Sequence, residues 1–312
     1  MFDSSLQKIR GLVGMAERQE ELSARVARLT PFDGAHQTAL PFLAMSRGSV
    51  PTACMPMVYH PCLAIVVQGR KRALLNGEVF NYDALNYLVV SVTIPGMGQV
   101  VEATPERPYL SLKLNLDLKQ IASLVLEMGD RAPAPATSDR GLFVARLDEP
   151  LLDAVLRMVK LLDTPEDLDV LAPVVQREIL YRMLRGELGY RLVDLAQSEG
   201  GNHRIVRAID WLQQHFAAPL RIEELADTVH MSPSALHHRF KAVTAMSPLQ
   251  YQKHLRLHEA RRLMFSDGIE SATAGHRVGY ESASQFTREY RRLFGAPPRS
   301  EIARLRETGM SA

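Results

Sequence analysis

The sequence predicts an α+β protein in which a small antiparallel β-barrel precedes a wholly helical domain. Three observations carry this expectation. Short β-branched and aromatic runs, broken by Gly, Asn, Asp and Pro, fill the stretch from Pro31 to residue 116. Apolar residues then recur at three- and four-residue intervals. The last third repeats itself at a spacing of about 50 residues, the mark of a duplicated supersecondary unit.

The 312 residues are enough for two domains with separate cores. A hydrophobic share of 46% and a charged share of 23% are those of an ordinary soluble globular chain. No apolar run approaches the ~20 residues of a membrane span. The opening MFDSSLQKIRGLVGMAERQEELSARVARL is charged throughout and lacks the apolar centre of a signal peptide. Two cysteines, Cys54 and Cys62, are too few for a disulfide framework, which fits a reducing cytoplasm.

Residues 4–29 alternate charged and apolar positions as surface helices do. Strands are expected at CLAIVVQ (62–68), RALL (72–75), EVFNY (78–82), YLVVSV (87–92) and YLSLKLNL (109–116), forming a barrel or jelly-roll sandwich. Asn76-Gly77 predicts a two-residue hairpin, since both positions need positive φ. The first of these strands is apolar throughout and should be covered on both faces. Helical texture returns at 116–129, and a flexible loop is expected over 130–141. Segments 149–163 and 172–186 read as amphipathic helices that either contact a second subunit or pack on their own sheet. QSEGGN (197–202) marks a domain boundary.

Beyond it, an amphipathic helix at 205–216 precedes the repeat. Leu236, Phe240, Val243 and Pro248 recur as Phe286, Tyr290, Leu293 and Pro298; Val229 recurs as Val278, so the second copy has one extra turn residue. Each copy predicts two short helices joined by a tight turn, at His230-Met231 and at Gly279-Tyr280, with Ser232 or Ser282 capping the second helix. On 283–294, Phe286, Tyr290 and Leu293 make the buried stripe. Ala283, Ser284, Gln285, Thr287 and Arg288 form a slim polar leading end suited to a DNA major groove. Between the copies, 18 residues (248–265) make a rod of roughly 27 Å, against ~34 Å between successive major grooves. Lys253, Arg256, Arg261 and Arg262 are phosphate candidates on that rod, some of which could pair with Glu259 instead; Arg239, Lys241, Arg291 and Arg292 are candidates on the repeat. From His203 onward there are 16 Lys/Arg against 11 Asp/Glu, although net charge is only +2. That balance fits a polyanion partner or a merely solvated face.

LADTVHMSPSALHHRFK, LRLHEARRLM and VGYESASQFTREYRRLFGAPP make residues 203–306 resemble the DNA-binding domain of AraC/XylS-type transcription regulators. Residues 58–92, 108–117 and 171–189 resemble the cupin-like effector domain of one subgroup. The resemblance implies double-stranded DNA at a promoter or operator, an unidentified small-molecule effector, RNA polymerase and a second copy of the chain as partners. Carried over by position, base reading falls on Ser234, Ala235, His237 and His238, and on Ala283, Ser284, Gln285 and Arg288. The first unit has His where relatives often have Arg or Gln. Gly275 stands where they usually carry Ala, which costs ~1 kcal/mol of helix propensity and implies a looser second unit.

Cupin-like barrels often hold a metal on several His and a carboxylate, and a metal-dependent enzyme with a basic accessory domain is the rival expectation. Residues 30–120 offer only His36 and His60, without a His-x-His pair, so neither metal, cofactor nor catalysis is expected. The glycines of GMGQ (96–99) do not form a phosphate-binding loop. Candidates at the effector are Cys62, either a reactive thiol or a small buried hydrophobe, and Arg70 and Arg72, either carboxylate partners or a solvated hairpin. The organisation expected is a helical segment (1–30), a sensing barrel (31–129), a linker and dimerisation or packing region (130–200) and a DNA-binding domain (201–312).

Overall fold

The computed structural model describes residues 2–134, 140–196 and 201–308. The strands are β1 (Gly34–Gln37), β2 (Leu43–Gly48), β3 (Met55–Tyr59), β4 (Cys62–Gln68), β5 (Arg70–Leu75), β6 (Glu78–Asp83), β7 (Asn86–Val90), β8 (Ile94–Glu102), β9 (Tyr109–Asn115) and β10 (Leu142–Arg146). They form two antiparallel sheets, ordered β1-β2-β9-β4-β7-β10 and β3-β8-β5-β6. The helices are α1 (Phe2–Leu29), α2 (Leu118–Met128), α3 (Glu149–Lys160), α4 (Leu168–Arg185), α5 (Gly189–Ala196), α6 (Gly201–His215), α7 (Ile222–Thr228), α8 (Pro233–Thr244), α9 (Pro248–Ser266), α10 (Ser271–Arg277), α11 (Ala283–Phe294) and α12 (Pro298–Thr308). The chain is thus α+β, a β-barrel with flanking helices followed by an all-helical domain. Residues 135–139 of the expected 130–141 loop, and 197–200 of the expected boundary, lie outside the described residues.

Alternation along β4 shows how the barrel is built. Side chains of successive strand residues point to opposite faces. Leu63, Ile65 and Val67 face a helical layer with Leu22 and Val26 of α1, Leu152 and Val155 of α3, and Ile179 of α4. Cys62 and Val66 face the barrel interior with Tyr59, Ala73, Leu75 and Ile94. This is why the segment is apolar at nearly every position. The hairpin also forms as expected, with φ of 48° at Asn76 and 86° at Gly77 and Leu75 opposite Glu78. Residues 4–29 belong to one long helix whose Leu22 and Val26 are fully buried.

The strands missing from the sequence reading are β1, β2, β3, β8 and β10. β8 holds the GMGQ glycines, and their role is spatial. A Cβ on Gly98 would lie 2.2 Å from Met57 Sδ, so the bare backbone makes room for side chains from β3.

In the helical domain the two units have different cores. The first unit (α7, α8) shares a core with the barrel interior: Leu225, Leu236, Phe240 and Val243 join the cluster of Val90, Val92 and Ile94. The second unit (α10, α11) has its own core of Val278, Phe286, Tyr290 and Phe294 with Leu257 and Ala260 of α9. Ser232 and Ser282 cap α8 and α11 by accepting from the N–H of Ala235 and Gln285. Positive φ falls at the turns, at His230 (55°) and Gly279 (91°).

Gly275 corrects an expectation. A Cβ there would lie 2.9 Å from the ring of Phe286, so the glycine lets α10 approach α11 closely rather than loosening the unit. Gly275→Ala should therefore lower stability by about 1–3 kcal/mol despite alanine's better helix propensity, read as a lower urea midpoint at unchanged m value.

Candidate nucleic-acid interface

Burial divides α8 and α11 into two faces. Leu236, Phe240, Phe286 and Tyr290 are fully buried. Ser234, Ala235, His237, His238, Ala283, Ser284, Gln285 and Arg288 are all exposed on the opposite sides. The structure thus brings each predicted quartet together at the leading half of its helix. Gln285 Nε2 donates to Glu289 Oε1 (3.2 Å), which holds that amide along the helix.

The predicted phosphate cations fall into two groups. Arg291 and Arg292 are exposed near the end of α11; their side chains, like that of Arg288, make no hydrogen bond or ion pair among the described residues. Lys241 is also exposed, beside His237 and His238 in a cleft of about 780 Å³ that Asn76 and Arg140 of the barrel side help to line. Arg239 is half-buried. On the rod the cations are engaged within the protein. Lys253 pairs with Glu289 of α11 (3.2 Å), and Arg262 with Glu259 (2.8 Å). Arg261 is 5% exposed and pairs with Glu301, 2% exposed, at 2.8 Å. Arg256 donates to the carbonyls of Phe216, Ala217, Ala218 and Gly279, a role that its sequence position gave no sign of.

The first unit is fastened to the barrel at main-chain level. Gly141 N–H donates to Val243 O at the end of α8 (2.9 Å), and the Ser91 hydroxyl donates to Gly141 O (2.9 Å). Arg140 donates to Ala242 O and pairs with Glu78. A cation at the carboxyl end of a helix is favourable for the helix dipole. The Tyr251 hydroxyl, from α9, donates to Thr93 O (2.7 Å).

A second cleft, of about 700 Å³, opens between the barrel and the rod. Met55, Met57 and Val58 of β3 line one wall, and Leu255 and His258 of α9 the other, with Lys71 of β5 at its side. None of Cys62, Arg70 and Arg72 lines it. Lys71 shares the inward parity of Ala73 and Leu75, whereas Arg70 and Arg72 take the other face, where Arg70 pairs with Glu102 and Arg72 donates to Asn81. Cys62 is 4% exposed, and burial pushes its thiol up to about 11. It is a packed core residue, not an accessible thiol. Among the described residues no group of three His, Cys, Asp or Glu is placed to hold a metal, and no helix is long and apolar enough to cross a membrane.

This combination of a sensor-like barrel, a twin helix-turn-helix domain and a cleft between them defines a class of two-domain regulatory folds. Residues 39–191 match the model of the AraC-type transcriptional regulator N-terminus, and residues 225–304 match a helix-turn-helix domain model. The chain belongs to the AraC/XylS family. It is 30% identical over 165 residues to the HTH-type transcriptional activator RhaS of Escherichia fergusonii, covering 53% of this chain and 59% of RhaS. RhaS of Escherichia coli is 28% identical over 155 residues, 49% of this chain and 55% of RhaS. The chain thus spans less than two thirds of these relatives. Among solved structures, an apo variant of ToxT from Vibrio cholerae superposes with a TM-score of 0.57 at 8% identity, covering 86% of this chain and 99% of ToxT. ToxT bound to an unsaturated fatty acid gives 0.55 at 9% identity, covering 83% and 93%. At these identities the likeness shows the fold.

Two outcomes follow from the burial of these side chains. One thiol equivalent, from exposed Cys54, should react with a disulfide reagent in the native chain, and two in guanidinium chloride. Burial, with His254 and Arg261 nearby, pushes His258 down to about 3 from an ordinary 6.5. Between those values the unfolded chain binds a proton that the folded chain refuses, so this contribution is intact above pH 6.5 and declines as pH falls towards 3. His258→Gln should remove up to about 2 kcal/mol of the stability difference between pH 7 and 4.5, read from denaturant midpoints.

Proposed function

We propose that the chain is a cytoplasmic transcription regulator that reads two successive major-groove segments of DNA with α8 and α11 and responds to a small ligand held between barrel and rod. One observation carries this reading: two exposed, polar-tipped helices stand on one rod, and that same rod forms a wall of the cleft. The 19 residues of α9 span ~28 Å, close to the ~34 Å between successive grooves. The exposed faces supply Gln285 and Arg288 for base edges in the second unit and Ser234, His237 and His238 in the first. Arg291, Arg292 and Lys241 meet phosphates. RNA polymerase is the machinery whose access such a complex controls.

The ligand class follows from the cleft walls. Met55, Met57, Val58 and Leu255 would take an apolar body and Lys71 a carboxylate. The unsaturated fatty acid bound by ToxT has that chemistry. A ligand touching both the barrel and α9 couples to DNA affinity to the extent that it binds one arrangement of the two better than the other. A second copy of the chain would pair through α4, where Val170 (70% exposed), Val174 (62%) and Tyr181 (38%) leave an apolar stripe.

Selection from a random DNA pool with the full chain should return a preferred sequence; a pool that stays random overturns the reading. On the selected site Arg288→Ala should cost roughly 1–3 kcal/mol and relax base preference at one position. Arg292→Ala should weaken all sequences alike and reduce the salt slope by about one, so identical behaviour of the two variants in a gel-shift series contradicts the assignment. Lys71→Met should abolish the shift in DNA affinity that medium-chain carboxylates produce in the unsubstituted chain.

A further inference from the structure

Arg256 lies in the seam where the two helix-turn-helix units meet. Its Nε donates to Phe216 O (2.6 Å), Nη2 to Ala217 O (3.2 Å) and Ala218 O (2.9 Å), and Nη1 to Gly279 O (2.9 Å). Three of these carbonyls follow the end of α6 and lead into the first unit; the fourth is the turn of the second. Gln252, one turn earlier on α9, donates to Phe216 O (3.0 Å) and Ala218 O (2.7 Å). The two chain segments of this seam touch: a Cβ on Gly279 would lie 2.1 Å from Ala217 O.

We propose that Arg256 is a positioning residue that presets the separation and twist of the two reading helices, and so fixes the spacing of the DNA segments the chain accepts. The inference rests on the DNA-reading function above. A rod joined to each unit only at its ends leaves each unit free to swivel about its link. Here the lead-in loop of the first unit, the rod and the turn of the second form a closed triangle with one guanidinium at its centre. Four of the five N–H donors of that planar group are used, each on a different carbonyl. Lysine would keep the charge, but its three donors on a flexible stem cannot span the same acceptors. Lys253 and the Tyr280 hydroxyl, both on Glu289, brace the rod and the turn against α11 in the same seam.

The test uses the full chain and its pool-selected DNA, with one base pair added or removed between the two contacted segments. Each base pair changes the separation by ~3.4 Å and the twist by ~35°. The unsubstituted chain should lose about tenfold or more in affinity on one inserted pair. With Arg256→Lys that penalty should shrink below about threefold, while probes carrying one segment alone bind within about twofold of before. A penalty unchanged in Arg256→Lys overturns the inference, whatever happens to overall affinity, because general loss of stability lowers all spacings together. If the variant does not fold, the decision passes to spin labels on Ser234→Cys and Ala283→Cys in a Cys54→Ser background without DNA. One narrow distance supports a preset geometry and a broad distribution overturns it. Failure of the unsubstituted chain to select any DNA strikes the DNA-reading function, while the label distances still judge the seam.

Discussion

Tyr251 holds together the parts on which every other feature depends. Its ring is fully buried and meets Phe240 of α8 edge to face, with centroids 5.3 Å apart. Its hydroxyl leaves that apolar setting to donate to Thr93 O, next to the first residue of β8. A buried phenol needs such a partner, and here the partner belongs to the other domain. Because the ring packs in the first unit and the oxygen bonds the barrel, the unit, the rod and the barrel share one core. The Gly141–Val243 and Ser91–Gly141 bonds extend the same join along the main chain.

The second unit stands differently. Its core is separate, and it meets the barrel where α11 lies against β3 and where Arg261 of α9 donates to Pro56 O (3.5 Å). α8 therefore shares its core with the barrel, whereas α11 packs in a core of its own with α9 and meets the barrel at β3. The solvent-facing arginines Arg288, Arg291 and Arg292 lie on α11 and the exposed histidines His237 and His238 on α8.

Features that depend on local geometry were legible in the sequence. Asn76-Gly77 can close only one kind of turn, the doubly covered β4 reads as an unbroken apolar run, and the duplicated unit repeats its buried positions. Of the strands that escaped, β1, β2, β3 and β8 carry Gly, Pro or polar residues that break the alternation, and β10 is a short run isolated between a loop and a helix. The buried and exposed faces of α8 and α11 follow the helical period, whereas the choice of Ser234, Ala235, His237 and His238 as base readers is implied only by the family resemblance. Which cations are open to solvent could not be placed from the period, because pairing is tertiary: Arg256, Arg261 and Arg291 look alike in the sequence, yet one binds carbonyls, one is buried against Glu301 and one is exposed. Lys71 was passed over for its neighbours Arg70 and Arg72 because strand parity, not charge, decides which of the three faces inward.

The buried pair of Arg261 and Glu301 makes two distant positions depend on each other. Tyr290 donates to the same carboxylate (2.9 Å), and the guanidinium lies 4.9 Å from the centre of the Phe294 ring. Removing either charge strands the other in an apolar setting, a penalty of several kcal/mol, whereas exchanging both for well-packed apolar residues is nearly neutral. A change at one of these positions is therefore tolerated only with a matching change at the other, which couples α12 to the rod 40 positions upstream.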